Sequence, residues 1–227
     1  MRDKVVIVTG GFGVVGQAVA EAALAAGAFV ALPGREQKSQ IAEQERLLVQ
    51  GGIDLTDFAA VQQAFESVAG RFGKIDGLAN VAGGFRWQTL IDGDLSGWTD
   101  QFRMNLLTAA TASKAALPHL RASQGAIVNV ASAPAKKAGA GMGAYAASKA
   151  GVLRLTESLA EEEKNAGVRV NAVLPTIIDT PRNRADMPKA DFSRWVKPED
   201  IAKTILFLLS SDAKAITGAE LLIAGRT

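Results

Sequence analysis

Tyrosine occurs once in the 227-residue chain, at position 145, and Lys149 stands four residues after it in the stretch GMGAYAASKAG. Side chains four apart on a helix share a face, so the phenol and the ammonium project into one space. A free phenol titrates near ~10 and is a poor acid or base at neutral pH. A unit positive charge ~4 Å away is worth about 4 kcal/mol at an effective dielectric near 20, or about three pKa units. The pair therefore predicts a general acid/base whose proton affinity is lowered by the lysine.

Such a pair has to be carried by a scaffold. Short β-branched runs alternate with longer Ala-rich segments whose apolar residues fall at helical spacing, which predicts parallel strands joined by crossover helices. Strands are expected at 4–8, 29–32, 47–49, 75–79, 126–130, 169–174 and 220–223. Helices are expected at about 14–26, 57–71, 97–120, 143–165 and 198–209, the last opened by a proline suited to a first helical position. Segment 35–46 is short and polar for a helix. Irregular sequence concentrates at 83–95 and 175–196, both after strands, on the edge where open α/β sheets bind ligands. The resulting expectation is an α/β chain forming one domain over residues 1–227, a doubly wound parallel sheet of seven strands flanked by helices, with 175–196 as a substrate loop or lid.

The first strand runs into a glycine-rich turn and an Ala-rich helix, VVIVTGGFGVVGQAVAEAALAAG, with Gly11, Gly13 and Gly16 at G-x-G-x-x-G spacing. Glycines there permit the sharp turn, backbone approach to a pyrophosphate and close helix–strand packing, while the helix N-terminus offers amides and partial positive charge. This context predicts a dinucleotide site of the Rossmann type. About twenty residues on, where an Asp or Glu would accept ribose hydroxyls, Gly34 and Arg35 stand instead. A carboxylate repels a 2′-phosphate and an arginine pairs with it bidentately, so NADP(H) is expected over NAD(H), which stays possible.

Composition narrows the remaining classes. Forty-eight per cent hydrophobic and 21% charged residues suit a globular domain with a sizeable core, and a net charge of +2 without a Lys/Arg run gives no nucleic-acid surface. With no cysteine and one histidine there is no disulfide framework, thiolate nucleophile or Cys/His zinc site, and no metal is expected. The first apolar stretch, Val5 to Val8, is too short for a signal-peptide core or a membrane span, so a cytoplasmic protein with a small-molecule substrate and no membrane partner is expected. His119, after Pro118 near the end of a long helix, is assigned no chemistry.

Over essentially its full length the chain resembles the short-chain dehydrogenase/reductase family. That family places a serine thirteen residues before its tyrosine, where this chain has Ser132 in VNVASAP, and an asparagine on the preceding long helix, matched by Asn105 in RMNLLTA. The resemblance implies a proton relay. In it Tyr145 exchanges the substrate proton, Ser132 holds the substrate oxygen, Lys149 lowers the phenol's pKa and grips the nicotinamide ribose, and Asn105 anchors a water leading to solvent. The chemistry wants the same types, since a hydroxyl donor stabilises a developing alkoxide and a short relay resupplies the proton. For the cofactor it implies Gly10, Gly11, Phe12, Gly13, Val14 and Val15 in the first turn, with Asp54 and Leu55 at the adenine. It also implies Asn80, Ala82 and Gly83 after the fourth strand, and Pro175, Ile177 and Thr180 around the nicotinamide. Three positions depart from the family pattern: Val14 and Thr176 replace glycines and Val81 replaces an asparagine.

Within the family, GGFGVVG, VAGGF and VLPTIIDTPRNRADMPKADFSRW are similar to the dihydropteridine-reductase branch. That branch carries an acidic residue in place of Gly34 and lacks a counterpart of Ser132. A complete Ser-Tyr-Lys set with Arg35 therefore favours NADPH-dependent reduction of a ketone or aldehyde, with pterin-like reduction and a non-catalytic redox sensor as alternatives. Phe85, Trp87, Met142, Met187, Phe192 and Trp195 supply candidate pocket walls, and Asp179, Arg182, Arg184, Asp186 and Lys189 make the late loop strongly charged. Ala146, Ala147 and Ala150 leave the Tyr145 helix open to close approach, and family members commonly pair long helices across subunits, which implies a homodimer or homotetramer.

Overall fold

The computed structural model describes residues 1–37, 40–42 and 44–227. Part of segment 35–46 therefore lies outside the described residues. Seven parallel strands form one sheet in the order β3-β2-β1-β4-β5-β6-β7. They are β1 (Val5–Thr9), β2 (Phe29–Pro33), β3 (Leu47–Gln50), β4 (Gly77–Asn80), β5 (Ala126–Val130), β6 (Arg169–Pro175) and β7 (Glu220–Ile223). The expected strands are all present, displaced by a residue or two at their ends.

The central strands are apolar on both faces because helices cover both faces. Val6 and Val8 of β1 point to the side packed by α1 (Val14–Ala25) and α7 (Pro198–Leu209) through Val19, Ile201 and Ile205. Val5 and Ile7 point to the other side, against Val61, Phe65 and Val68 of α2 (Phe58–Phe72) and Ala112, Ala116 and Leu120 of α4 (Thr108–Ser123). Asp57 starts α2 by accepting from the amides of Ala59 and Ala60 at 3.0 and 3.3 Å.

Two long segments differ from the uniform helices the sequence suggests. The expected helix 97–120 is α3 (Ser96–Phe102), a π-helical turn at Arg103–Leu107 and α4 in continuous succession. The π turn is centred on Asn105, which is buried, and such turns turn a side chain inward at the cost of one backbone register. The catalytic candidates Tyr145 and Lys149 lie on α5 (Gly143–Glu162), followed by a short 3₁₀ turn at Lys164–Ala166.

The late segment 175–196 is not irregular. It contains α6 (Pro181–Asp186), capped by Thr180, whose Oγ1 accepts from the Asn183 amide at 3.2 Å, with Pro181 at its first position. Arg184 pairs with Asp179 through two hydrogen bonds of 2.6 and 2.8 Å. The Ile177 carbonyl accepts from the Val196 amide at 2.9 Å, so the segment closes on itself.

The strand order reverses between β1 and β4, and the turns leaving these strands form the crevice. Thr9 holds them together by accepting from the amides of Val81 and Ala82 at 3.2 and 3.3 Å.

Candidate active site

The turn after β1 requires glycine at Gly10, outside the G-x-G-x-x-G spacing, and at Gly16 within it. Gly10 has φ +69°, and a Cβ on it would fall 2.6 Å from the Ala82 amide nitrogen. At Gly16 a Cβ would collide with the Gly10 carbonyl, so this is the point of close helix–turn packing. Gly11 is buried against Leu32, 2.5 Å from a Cβ placed there, whereas Gly13 meets nothing closer than 3.5 Å. Val14 opens α1 half-exposed and faces the crevice without disturbing the turn, which explains why a glycine is dispensable there.

The crevice is a cleft of about 910 Å³. Gly10, Phe12, Gly13, Val14 and Val15 line one wall, and Ala82, Gly83, Gly84 and Phe85 line the floor beyond β4. At one end stand Gly34, Arg35, Glu36, Asp54 and Leu55, and across the opening stand Thr180 and Arg182. An open turn at a helix N-terminus, glycines that a Cβ would fill and a cleft running from β2 to α6 fit a dinucleotide. Thr180 faces the cleft as expected, with its hydroxyl also capping α6.

Other expected cofactor residues are directed elsewhere. Asn80 is buried, donating to Asn129 Oδ1 at 2.9 Å and Ser113 Oγ at 3.1 Å, so its amide braces β4 to β5 and α4. Pro175 ends β6 with its carbonyl accepting from Ser132 Oγ at 3.4 Å, and Ile177 is held by the Val196 amide.

Behind the Gly83–Phe85 stretch of the cleft floor the four chemical residues come together from three elements. Ser132 follows β5, Tyr145 and Lys149 occupy successive turns of α5, and Asn105 enters from the π turn. A Cβ on Gly83 would lie 2.5 Å from Asn105 Oδ1 and 3.2 Å from Lys149 Nζ. Only a glycine lets the floor pass between them. Lys149 is buried and donates to the Val130 carbonyl at 2.7 Å, and burial lowers its ammonium to about 8.

The phenol differs from the simple electrostatic expectation. Burial pushes Tyr145 above its ordinary value, and a hydrogen bond from Ser132 pulls it back down. Desolvation disfavours the phenolate whatever the sign of distant charges. In this structure Ser132, not Lys149, is the group that opposes that cost. The Asn105 side chain is held by partners from the cleft floor and two helices. Its Nδ2 donates to Gln101 Oε1 at 3.0 Å, Ser148 Oγ at 3.0 Å and the Gly84 carbonyl at 3.1 Å, and its Oδ1 accepts from the Gly84 amide at 2.9 Å. It fastens the cleft floor to α5.

Of the candidate pocket walls, Phe85 stands in the cleft with its ring centre 4.9 Å from that of Tyr145. Trp87 lies beside it, with its indole N–H donating to the Ala140 carbonyl at 3.0 Å. Trp195 is not a wall: it is buried, with Phe192 packed on it at 4.7 Å between ring centres. Phe192 also lies under the Arg184 guanidinium.

Sequence reasoning overlooked Glu36 and Arg103, both on the cleft. Glu36 is close to the position where an acidic residue is sought after β2, displaced by two. Arg103 donates to Thr56 Oγ1 at 3.2 Å, and nothing in its own sequence context announces this. Among the described residues, no helix is long and apolar enough to cross a membrane.

The comparisons with known proteins agree with this geometry. A family model described as enoyl-(acyl carrier protein) reductase matches residues 13–225. The chain is 33% identical to 2-(S)-hydroxypropyl-CoM dehydrogenase 3 of Xanthobacter autotrophicus, over 99% of the chain and 96% of that protein. It is 33% identical to the 3-oxoacyl-(acyl-carrier-protein) reductase FabG of Haemophilus influenzae, over 99% of the chain and 98% of that protein. A crystal structure of a short-chain dehydrogenase from Burkholderia cenocepacia in complex with NADP superposes with a TM-score of 0.87 at 32% identity, covering 99% of this chain and 97% of that one.

Proposed function

The chain belongs to the short-chain dehydrogenase/reductase family of NAD(P)-dependent oxidoreductases, and from that premise we propose that it reduces the carbonyl of a small molecule to an alcohol with NADPH. The observation that carries this reading is the grouping of Ser132, Tyr145 and Lys149 behind Gly83 and Phe85, which line a cleft that Arg35 also lines.

A reduced nicotinamide bound in the cleft supplies the hydride. Tyr145 Oη delivers the proton to the substrate oxygen, and because burial holds the phenol protonated through the neutral range it is set up as an acid. Ser132 Oγ donates a hydrogen bond to the same oxygen and stabilises the charge that develops there. Lys149, below the cleft floor at Gly83, would hold positive charge under a bound coenzyme. Asn105 holds Gly84 and Ser148 so that floor and helix keep their spacing. Ser132 beside the phenol supports carbonyl reduction over the pterin chemistry of the branch that lacks this serine.

Preference for NADP(H) is supported by Gly34 and by the exposed Arg35 guanidinium, 3.0 Å from Asp54 Oδ2, and by the NADP bound to the Burkholderia cenocepacia relative. A homodimer or homotetramer is supported by the exposed Trp98 and Phe102 of α3 and Leu222 of β7.

The test is coenzyme oxidation by the purified protein with NADPH and NADH against a panel of ketones, aldehydes, quinones and dihydropterins. Turnover of ketones or aldehydes with a higher kcat/KM for NADPH is expected. Dinucleotide binding without oxidation by any carbonyl would replace this reading with that of a redox sensor.

A further inference from the structure

The phenol of Tyr145 is covered by a ring that the reaction itself does not require. Segment 84–88, leaving β4, is fastened at both ends. Gly84 exchanges two hydrogen bonds with Asn105, at 2.9 and 3.1 Å. Trp87 donates to the Ala140 carbonyl at 3.0 Å, and the Gln88 amide donates to the Gly141 carbonyl at 2.9 Å. Gly141 has φ +71°, and a Cβ on it would penetrate the Trp87 indole, so the indole lies directly on the backbone that leads into α5. Between the two fastenings, Phe85 stands with its ring centre 4.9 Å from that of Tyr145 and the ring planes at 79°. In this edge-to-face arrangement the positive edge of one ring meets the negative face of the other.

Phe85 is 37% exposed and Trp87 58% exposed. Neither is needed to complete a hydrophobic core. The hydrogen bonds instead cross between the β4 loop and the turn before α5, the two segments on either side of the phenol. The charged and ionisable groups around Tyr145 are few. Lys149 is on its own helix with Nζ on the Val130 carbonyl, Ser132 comes from the β5 loop, Asn105 from the π turn is uncharged, and Arg86 beside Phe85 is exposed.

We propose that Phe85 is a positioning residue for Tyr145, its ring held over the phenol by the Gly84–Asn105 and Trp87–Ala140 hydrogen bonds so that the hydroxyl is kept from bulk water and aimed at the substrate oxygen. The proposal rests on Tyr145 being the proton donor. It assigns to an aromatic ring the part of the environment that the lysine alone does not provide, and burial raising the phenol agrees with it.

Because tyrosine occurs once in the chain, ultraviolet difference titration of the full-length protein reads this phenol alone. The comparison is between the unaltered protein, Phe85→Ala, Phe85→Leu and Trp87→Phe, each with its melting curve recorded. Phe85→Ala is expected to lower the titration midpoint by about one pH unit toward the solution value. It should also lower kcat for the best carbonyl about tenfold, a modest misorientation of the proton donor. Phe85→Leu, which keeps an apolar cover, should retain most of the midpoint. Trp87→Phe, which keeps the ring on Gly141 but loses its N–H, should fall between.

An unmoved midpoint in Phe85→Ala overturns the proposal, as does a moved midpoint with kcat unchanged. If no carbonyl is turned over by the unaltered protein and the midpoint still falls in Phe85→Ala, the shielding stands and the reductase reading fails. Turnover with an unmoved midpoint leaves the reductase reading intact and removes the role of Phe85.

Discussion

The two ends of the cleft are built on opposite principles. At the Tyr145 end the chemical groups are buried or nearly so, and each is held by neighbours from a different element. Lys149 is tied to β5, Ser132 to the end of β6, and Asn105 to both the cleft floor and α5. At the Arg35 end the charges stand in solvent: the Arg35 side chain is 74% exposed and its partner Asp54 45%. An ion pair so placed is worth roughly 0–1 kcal/mol and is easily exchanged for another partner. The buried end fixes what reaction is possible, because displacement of any group disturbs several elements at once. The exposed end leaves coenzyme choice to side chains that can be replaced without cost to the fold.

The largest effect separating the two ends is expected from Tyr145→Phe. Removing one hydroxyl should lower kcat by about 10²–10⁴, the usual span of a general acid's contribution, while NADPH affinity measured by fluorescence titration stays within about twofold, since only the buried end is touched. A rate within a few-fold of the unaltered protein would show that the buried end is not where the proton comes from, and the contrast between the ends would collapse.

Next in size is a pH effect confined to the buried end. Burial lowers Lys149 from 10.5 to about 8 and raises Tyr145 above 10. Carbonyl reduction needs the phenol protonated and the ammonium charged. The sign follows: both conditions hold below about 8, and as pH rises Lys149 loses its proton first. The profile of kcat/KM with NADPH should therefore turn downward near that value, falling about tenfold per pH unit beyond it. In Lys149→Arg the guanidinium stays charged throughout, so whatever activity remains should lose this descent. An identical descent in the arginine variant would assign it to another group.

How far the sequence disclosed each end follows the same division. The alternation of β-branched runs with Ala-rich helices made the sheet legible, because a parallel sheet buried on both faces demands continuous apolar strands. The Tyr145–Lys149 spacing was legible because helical geometry brings the two residues to one face whatever surrounds them. The π turn at Asn105 was not, since its cause is a tertiary need to turn one amide toward Gly84 and Ser148. Helix α6 was concealed in a charged loop, although Thr180-Pro181 is a capping pair that announces it. Trp195 read as a pocket wall on composition alone, but composition does not say on which side of a loop an aromatic ring packs. The raised phenol was equally hidden, because desolvation depends on Phe85 and the segment that holds it, some sixty residues distant in the chain.

The smallest effects belong to the exposed end, where the structure also alters the obvious experiment. Arg35→Ala should lower kcat/KM for NADPH about tenfold, the loss of one charge-assisted phosphate contact, and leave NADH nearly unchanged. Gly34→Asp, the natural way to recruit NADH, meets an obstacle: a Cβ at position 34 would lie 2.6 and 2.8 Å from Cε2 and Cδ2 of Phe12, and 3.3 Å from Glu36 Oε2. The ring occupies the space the new side chain needs, and the new carboxylate would face a second one. Gly34→Asp alone should therefore weaken both coenzymes, whereas Phe12→Ala combined with Gly34→Asp should turn the ratio of kcat/KM values toward NADH by about tenfold relative to the single variant. Ordinary NADH kinetics in the single variant would mean that Phe12 yields freely. The ring would then be a passive neighbour of the coenzyme site, and the exposed end would be even softer than its solvent exposure indicates.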